Sequence, residues 1–141
     1  MRVANTIEEV PTMPNYMLLL YATEADRTET AKRDAERPEW RERIEEMTAQ
    51  GVLLASGRLW PSDTATTVRL ADGETELTDG PFAVTKEILG GYLLVDVPDL
   101  DEAVKLAARL PIVRYGKVEV RPQMTEEEAL RRGEEAAAAG A

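Results

Sequence analysis

Two apolar runs, Tyr16-Met17-Leu18-Leu19-Leu20-Tyr21 and Tyr92-Leu93-Leu94-Val95-Asp96-Val97, constrain the fold more than any other part of the chain. Each has the length of a strand and carries apolar side chains at both parities, so each reads as a central strand with two faces to cover. On this reading Leu18, Leu20, Leu93 and Val95 are divided between two layers. Burying one such side chain is worth about 1.5–3 kcal/mol, so a row of them left in water is costly.

The segments between these runs give the order of the fold. Residues 1–14 are polar, with Pro11 and Pro14, and read as an extended arm. Glu24 to Arg37 is highly charged with weak periodicity, and fits either a loop or an exposed helical turn. Pro38 suits the first position of a helix. Trp40, Ile44 and Met47 follow as an apolar stripe that reads as core, and Gly51 stands where a C′ residue would. Val52 to Leu59 reads as a second strand. Ala65–Leu70 and Thr75–Thr78 flank Asp72-Gly73, a hairpin signal. Ile88 and Leu89 read as a turn before the strand at Tyr92. Asp99 and Glu102 make a capping-box-like start to a second helix, whose apolar face is Leu100, Ala103, Val104, Ala107 and Leu110 or Pro111. Lys117 to Arg121 alternates as a last strand, and Thr125 with Glu128 opens an Ala- and Glu-rich tail helix.

The predicted class is therefore α+β: a ferredoxin-like split βαβ with an inserted hairpin, an antiparallel sheet and two helices on one face. The uncovered face predicts a homodimer. Residues 15–122 form the domain, with 1–14 as an arm and 123–141 as an acidic tail.

Composition excludes several functions. A net charge of −10 argues against nucleic acid and against anionic membranes as partners. No apolar run is long enough to span a bilayer, and residues 1–14 lack the apolar stretch of a secretory signal. There is no cysteine, hence no disulfide and no thiolate. Together these point to the cytoplasm. There is also no histidine, which removes the usual ligands for zinc or copper and the usual general base at neutral pH. No metal or cofactor motif is present.

The candidate chemistry gathers at Thr78-Asp79-Gly80-Pro81-Phe82. Gly80 accepts positive φ at little cost, and as the residue before Pro81 it is biased away from the α region. The chain bends just after Asp79, whose carboxylate reads as a general base or substrate anchor, or as a turn former bonded to local N–H groups. Lys86 could hold a substrate anion or be a solvated surface charge. Glu87 is a further candidate beside it, or simply helix N-terminal charge. Arg58 near the end of a strand could take a carboxylate in bidentate fashion or pair with an acidic neighbour. Tyr16 and Ser56 are candidate hydroxyl participants, and Trp60 and Phe82 are pocket walls or core.

These residues also carry a resemblance. Asp79-Gly80-Pro81-Phe82, Thr85-Lys86-Glu87 and Gly90-Gly91-Tyr92 resemble the DGPF-domain proteins of the YCII-related family. So do Asn15-Tyr16-Met17-Leu18-Leu19, Thr66-Thr67-Val68-Arg69, Asp96-Val97-Pro98-Asp99-Leu100-Asp101-Glu102-Ala103 and Val118-Glu119-Val120-Arg121-Pro122. The resemblance covers roughly Tyr16 to Pro122. It implies a small, bacterial, cytoplasmic ferredoxin-like dimer without an established activity. It also implies a functional link to extracytoplasmic-function sigma factors. Some relatives are proposed to use a His–Asp pair; Asp79 is the matching Asp, and this chain has no His to pair with it. Three classes stay open: an enzyme with a carboxylate-centred site, a metabolite-binding module, and an interaction protein.

Overall fold

The computed structural model describes residues 14–140. The expected arm, apart from Pro14, lies outside them. The elements are β1 (Asn15–Thr23), α1 (Arg27–Asp34), α2 (Arg37–Ala49), β2 (Leu53–Arg58), β3 (Thr66–Ala71), β4 (Glu74–Asp79), β5 (Glu87–Asp96), α3 (Leu100–Ala108), β6 (Lys117–Pro122) and α4 (Glu126–Gly140). The chain is α+β. Its main sheet has the order β2-β5-β1-β6 with every neighbouring pair antiparallel, and β3-β4 form a separate two-stranded ribbon.

The central pair is β1 and β5. Tyr16 faces Val95, Leu18 faces Leu93 and Leu20 faces Gly91. All of these are buried. On the other side of β1, Leu18 faces Val120 and Leu20 faces Val118. Directly opposed residues share a sheet face, so Leu18, Leu20, Leu93 and Val95 point into one layer. The expected division of these four between two layers is corrected by the register. The layer is closed by Met47 of α2, by Ala103 and Ala107 of α3, and by Leu110 and Ile112 beyond it. The opposite face presents Met17, Leu19, Tyr21, Tyr92 and Leu94, all partly exposed. Lys117, Glu119 and Arg121 of β6 continue that face, opposite Tyr21, Leu19 and Met17.

Local sequence explains most element ends. Asp99 Oδ1 accepts from Glu102 N at 2.9 Å and starts α3. Thr125 and Glu128 form a reciprocal capping box at the start of α4. Pro38 sits in the first turn of α2. Leu100 and Val104, expected on the apolar face of α3, are 45% and 47% exposed, because the helix buries only Ala103 and Ala107. Besides the two helices expected from apolar spacing and the expected tail helix, the segment read as either loop or helical turn forms α1. The additional α1 buries no residue; it is held by Asp26, whose side chain accepts from Glu29 N at 2.8 Å.

Ile88 and Leu89 are strand rather than turn. β5 begins at Glu87, and a register shift leaves Gly90 without a partner on β1. The ribbon turns at Asp72 and Gly73, both with positive φ (50° and 81°), as a two-residue type I′ hairpin requires. It exposes Val68, Leu70 and Leu77 on one face.

Gly116 enters β6 at a point of contact with β1, where a Cβ would lie 2.2 Å from the Tyr21 carbonyl oxygen. Gly133, inside α4, has nothing within 4 Å. Gly116→Ala is expected to destabilise the fold by about 1–3 kcal/mol. Gly133→Ala is expected to leave stability unchanged or raise it by up to about 1 kcal/mol. Thermal unfolding of the two variants checks both.

Candidate functional site

A cleft of about 800 Å³ opens on the helix face of the sheet, between α1–α2 and the C-terminal ends of β1 and β2. Its volume is within the range of small-molecule sites. Leu20, Ala22, Ile88 and Leu93 form an apolar floor. Thr30, Arg33 and Asp34 of α1, with Arg37, Trp40, Arg41 and Ile44 of α2, form the roof. Leu59-Trp60-Pro61, Ile112 and Tyr115 close the sides.

Two bulges build this floor. On β2, Leu53 faces Val95 but Ala55 faces Leu94, so Leu54 is the extra residue. Beyond it Ser56 faces Leu93 and Arg58 faces Gly91, which puts both on the helix face. Unbroken alternation from Leu53 would have sent them to the other side. On β5, Gly90 is the extra residue, so Ile88 pairs with the buried Ala22 and faces the cleft while Leu89 faces away. Bulges re-aim side chains in this way at the rims of sheets. Of Ala55-Ser56-Gly57 only Ser56, a small side chain, faces the helix side, so little of β2 rises into the cleft there.

Polar contacts fix the walls. Arg33 donates to the Thr23 carbonyl at 3.1 Å, pairs with Glu29 at 3.1 Å, and lies 4.5 Å from the centroid of the Tyr115 ring. Glu24 accepts from Ser62 N at 3.1 Å and from the Ser62 hydroxyl, tying the β1–α1 connection to the segment after Trp60. Arg37 pairs with Asp34. Arg114 bridges to Glu36 at 3.3 Å and to Glu39 at 2.5 Å, bracing the start of α2 against the segment that carries Tyr115. Burial, and next the nearby Glu36 carboxylate, push the Tyr115 phenol above its ordinary value. The Arg41 and Arg58 guanidiniums have no ion-pair or hydrogen-bond partner among the described residues.

The residues singled out from the sequence are dispersed. Arg58, Ser56 and Trp60 line the cleft. Tyr16 is buried in the core opposite Val95, near the far end of β1. Asp79 ends β4 opposite Thr66 and is exposed. Gly80 does turn there with φ +96°. Its N–H donates to the Ala65 carbonyl at 2.7 Å, and its carbonyl accepts from the Thr67 hydroxyl at 2.7 Å. Lys86 is exposed on the segment before β5, and Phe82 is 91% exposed. None of Asp79, Phe82 and Lys86 is among the cleft residues. Glu87 pairs with Lys117 at 2.9 Å.

Trp40 and Ile44, read from the sequence as core alone, also roof the cleft. Arg33, Arg37 and Arg41 did not stand out. Their spacing of four was the available signal, since it places three guanidiniums on one side of a helical segment.

A profile of the YCII-related domain matches residues 15–126, from the first strand to the start of α4. The chain belongs to the YCII-related family. Within 74 residues, 51% of this chain, it is 46% identical to an uncharacterized protein of Rhizobium meliloti. The match spans 60% of that relative's length. No helix among the described residues is long and apolar enough to cross a membrane, and no group of three or more carboxylates there could hold a metal ion.

The brace beneath the cleft has a pH signature. The hydrogen bond from Arg114, with its positive charge, holds the Glu39 carboxyl below the ordinary glutamate value of 4.5, against a smaller opposing effect of burial. A carboxyl depressed in the folded state contributes stability above its unfolded pKa, and that contribution is lost as pH falls through the folded value. NMR titration is expected to give Glu39 a lower midpoint in the folded chain than in the unfolded one. Arg114→Gln is expected to move it back up.

Proposed function

We propose that this YCII-related protein binds a small molecule in the cleft between α1–α2 and the sheet. The observation that carries this reading is the cleft itself: about 800 Å³, apolar below, with Trp40, Trp60 and Tyr115 in its walls and a few polar groups converging on it. That combination is what ligand sites share. Binding is favoured over catalysis by the state of the local acids. Glu24 is engaged by Ser62 and Asp34 by Arg37. Ser56 has no adjacent base, which an activated nucleophile requires. Arg58, Ser56 and Trp60 are the members of the site that the sequence named. Asp79 and Lys86, on the ribbon side, serve as comparison positions.

The proposed architecture is the ferredoxin-like plan. β1, α2, β2, β5, α3 and β6 follow the split βαβ order, and the β3–β4 ribbon is inserted between β2 and β5. We further propose a homodimer through the face bearing Met17, Leu19, Tyr21, Tyr92 and Leu94. A partly exposed apolar row on a central strand pair supports it.

A thermal-shift screen of small metabolites tests the site, since a ligand that binds only the folded chain raises its melting temperature. Hits are expected to lose their shift in Ser56→Trp, which fills the floor, and to keep it in Asp79→Asn. Hits that survive Ser56→Trp with the fold intact would move the site elsewhere. Light scattering tests the dimer. The expected mass is about twice 15.6 kDa, falling to one chain in Leu19→Glu.

A further inference from the structure

We infer that the cleft takes a small carboxylate with a flat apolar body, held between Arg41 on the roof and Arg58 on the floor. The inference rests on the cleft being the binding site and adds the chemistry of its ligand.

The charge argument comes first. The chain carries a net charge of −10. Yet the cleft is lined by four guanidiniums, Arg33, Arg37, Arg41 and Arg58, against two carboxylates, Glu24 and Asp34. An acidic protein has concentrated positive charge in one concavity, where low-dielectric walls strengthen its pull on an anion. Internal pairing accounts for part of this set. Arg33 is taken up by Glu29, the Thr23 carbonyl and the Tyr115 ring; Arg37 is taken up by Asp34. The Arg41 and Arg58 guanidiniums are left without a partner among the described residues, on opposite walls.

The bulge at Leu54 is what turns Arg58 inward. A guanidinium is a planar fork matched to a carboxylate, and two of them facing one space can share an anion.

The body of the ligand follows from the remaining walls. Both tryptophans of the chain, Trp40 and Trp60, line the cleft with Ile44, Leu59 and Ile88. Trp60 is 81% exposed, a large apolar surface at the mouth that a flat ring would cover. A bare inorganic anion leaves these surfaces wet. A neutral aromatic leaves the two arginines unanswered.

Because both tryptophans face the cleft, their emission reports its occupancy. The probes are phenylacetate, its uncharged counterpart phenylacetamide, acetate and inorganic phosphate, each titrated against the full chain with the emission followed. Phenylacetate is expected to bind at least about tenfold more tightly than phenylacetamide, since hydrogen bonds to charged groups exceed neutral ones by about that factor, and more tightly than acetate or phosphate, which bury none of the apolar wall. Arg41→Gln and Arg58→Gln are each expected to lose about tenfold for phenylacetate, keep their response to phenylacetamide, and retain the wild-type circular dichroism. Asp79→Asn is expected to bind as the wild type does.

Phenylacetamide binding as tightly as phenylacetate, with both abolished by Ser56→Trp, would overturn the carboxylate assignment while the cleft stands. Equal phenylacetate affinity in both arginine variants would overturn it too. No response to any probe would overturn it as well. Metabolite hits in the thermal screen that survive Ser56→Trp would overturn the cleft reading beneath it.

Discussion

The structure depends on one antiparallel contact, the pairing of β1 with β5. Leu18 against Leu93 and Tyr16 against Val95 set the register, and that register puts every buried residue of both strands on the helix side. A slip of one residue would send the whole set to the opposite face. α3 packs along β1 and β6 on the layer so formed, and α2 reaches β2. The faces of the sheet, the position of the helices and the floor of the cleft all follow from it.

Much of this was legible in the sequence and some was not, for physical reasons. Strands with strong apolar content declared themselves, as did Asp72-Gly73 and the caps at Asp99 and Thr125, because turn and cap chemistry is local. The side of the sheet to which each residue points was less legible. Apolar residues at both parities left the faces of β1 and β5 undivided until pairing partners were known. Bulges at Leu54 and Gly90 then broke the alternation on which any such reading relies. Ile88 and Leu89 looked like a turn because two glycines followed them, yet the first of those glycines is the bulge itself. α1 stayed open between loop and helical turn because no apolar stripe marks it; a cap and an arginine hold it.

The candidate site shows the same limit. Attention to Asp79 came from backbone chemistry, and Gly80 does turn there with positive φ. A bend is written in consecutive residues. The cleft is written in residues as far apart as Thr23, Trp40, Arg58 and Tyr115, which only the tertiary arrangement assembles. Arg58 was reachable from both directions, being near a strand end in the sequence and turned inward by the bulge.

The way α1 is attached has a consequence for kinetics. This helix buries no residue, and its tethers are one cap and the contacts of Arg33. Such a segment opens by local fluctuation at a free energy well below that of the sheet, and amide exchange would register it as a separate unit. The α1 side of the roof can therefore lift while α2, anchored by Met47, and the β1–β5 core stay in place. Access to the site and resistance to global unfolding are then set by different residues, so either can change in evolution without disturbing the other.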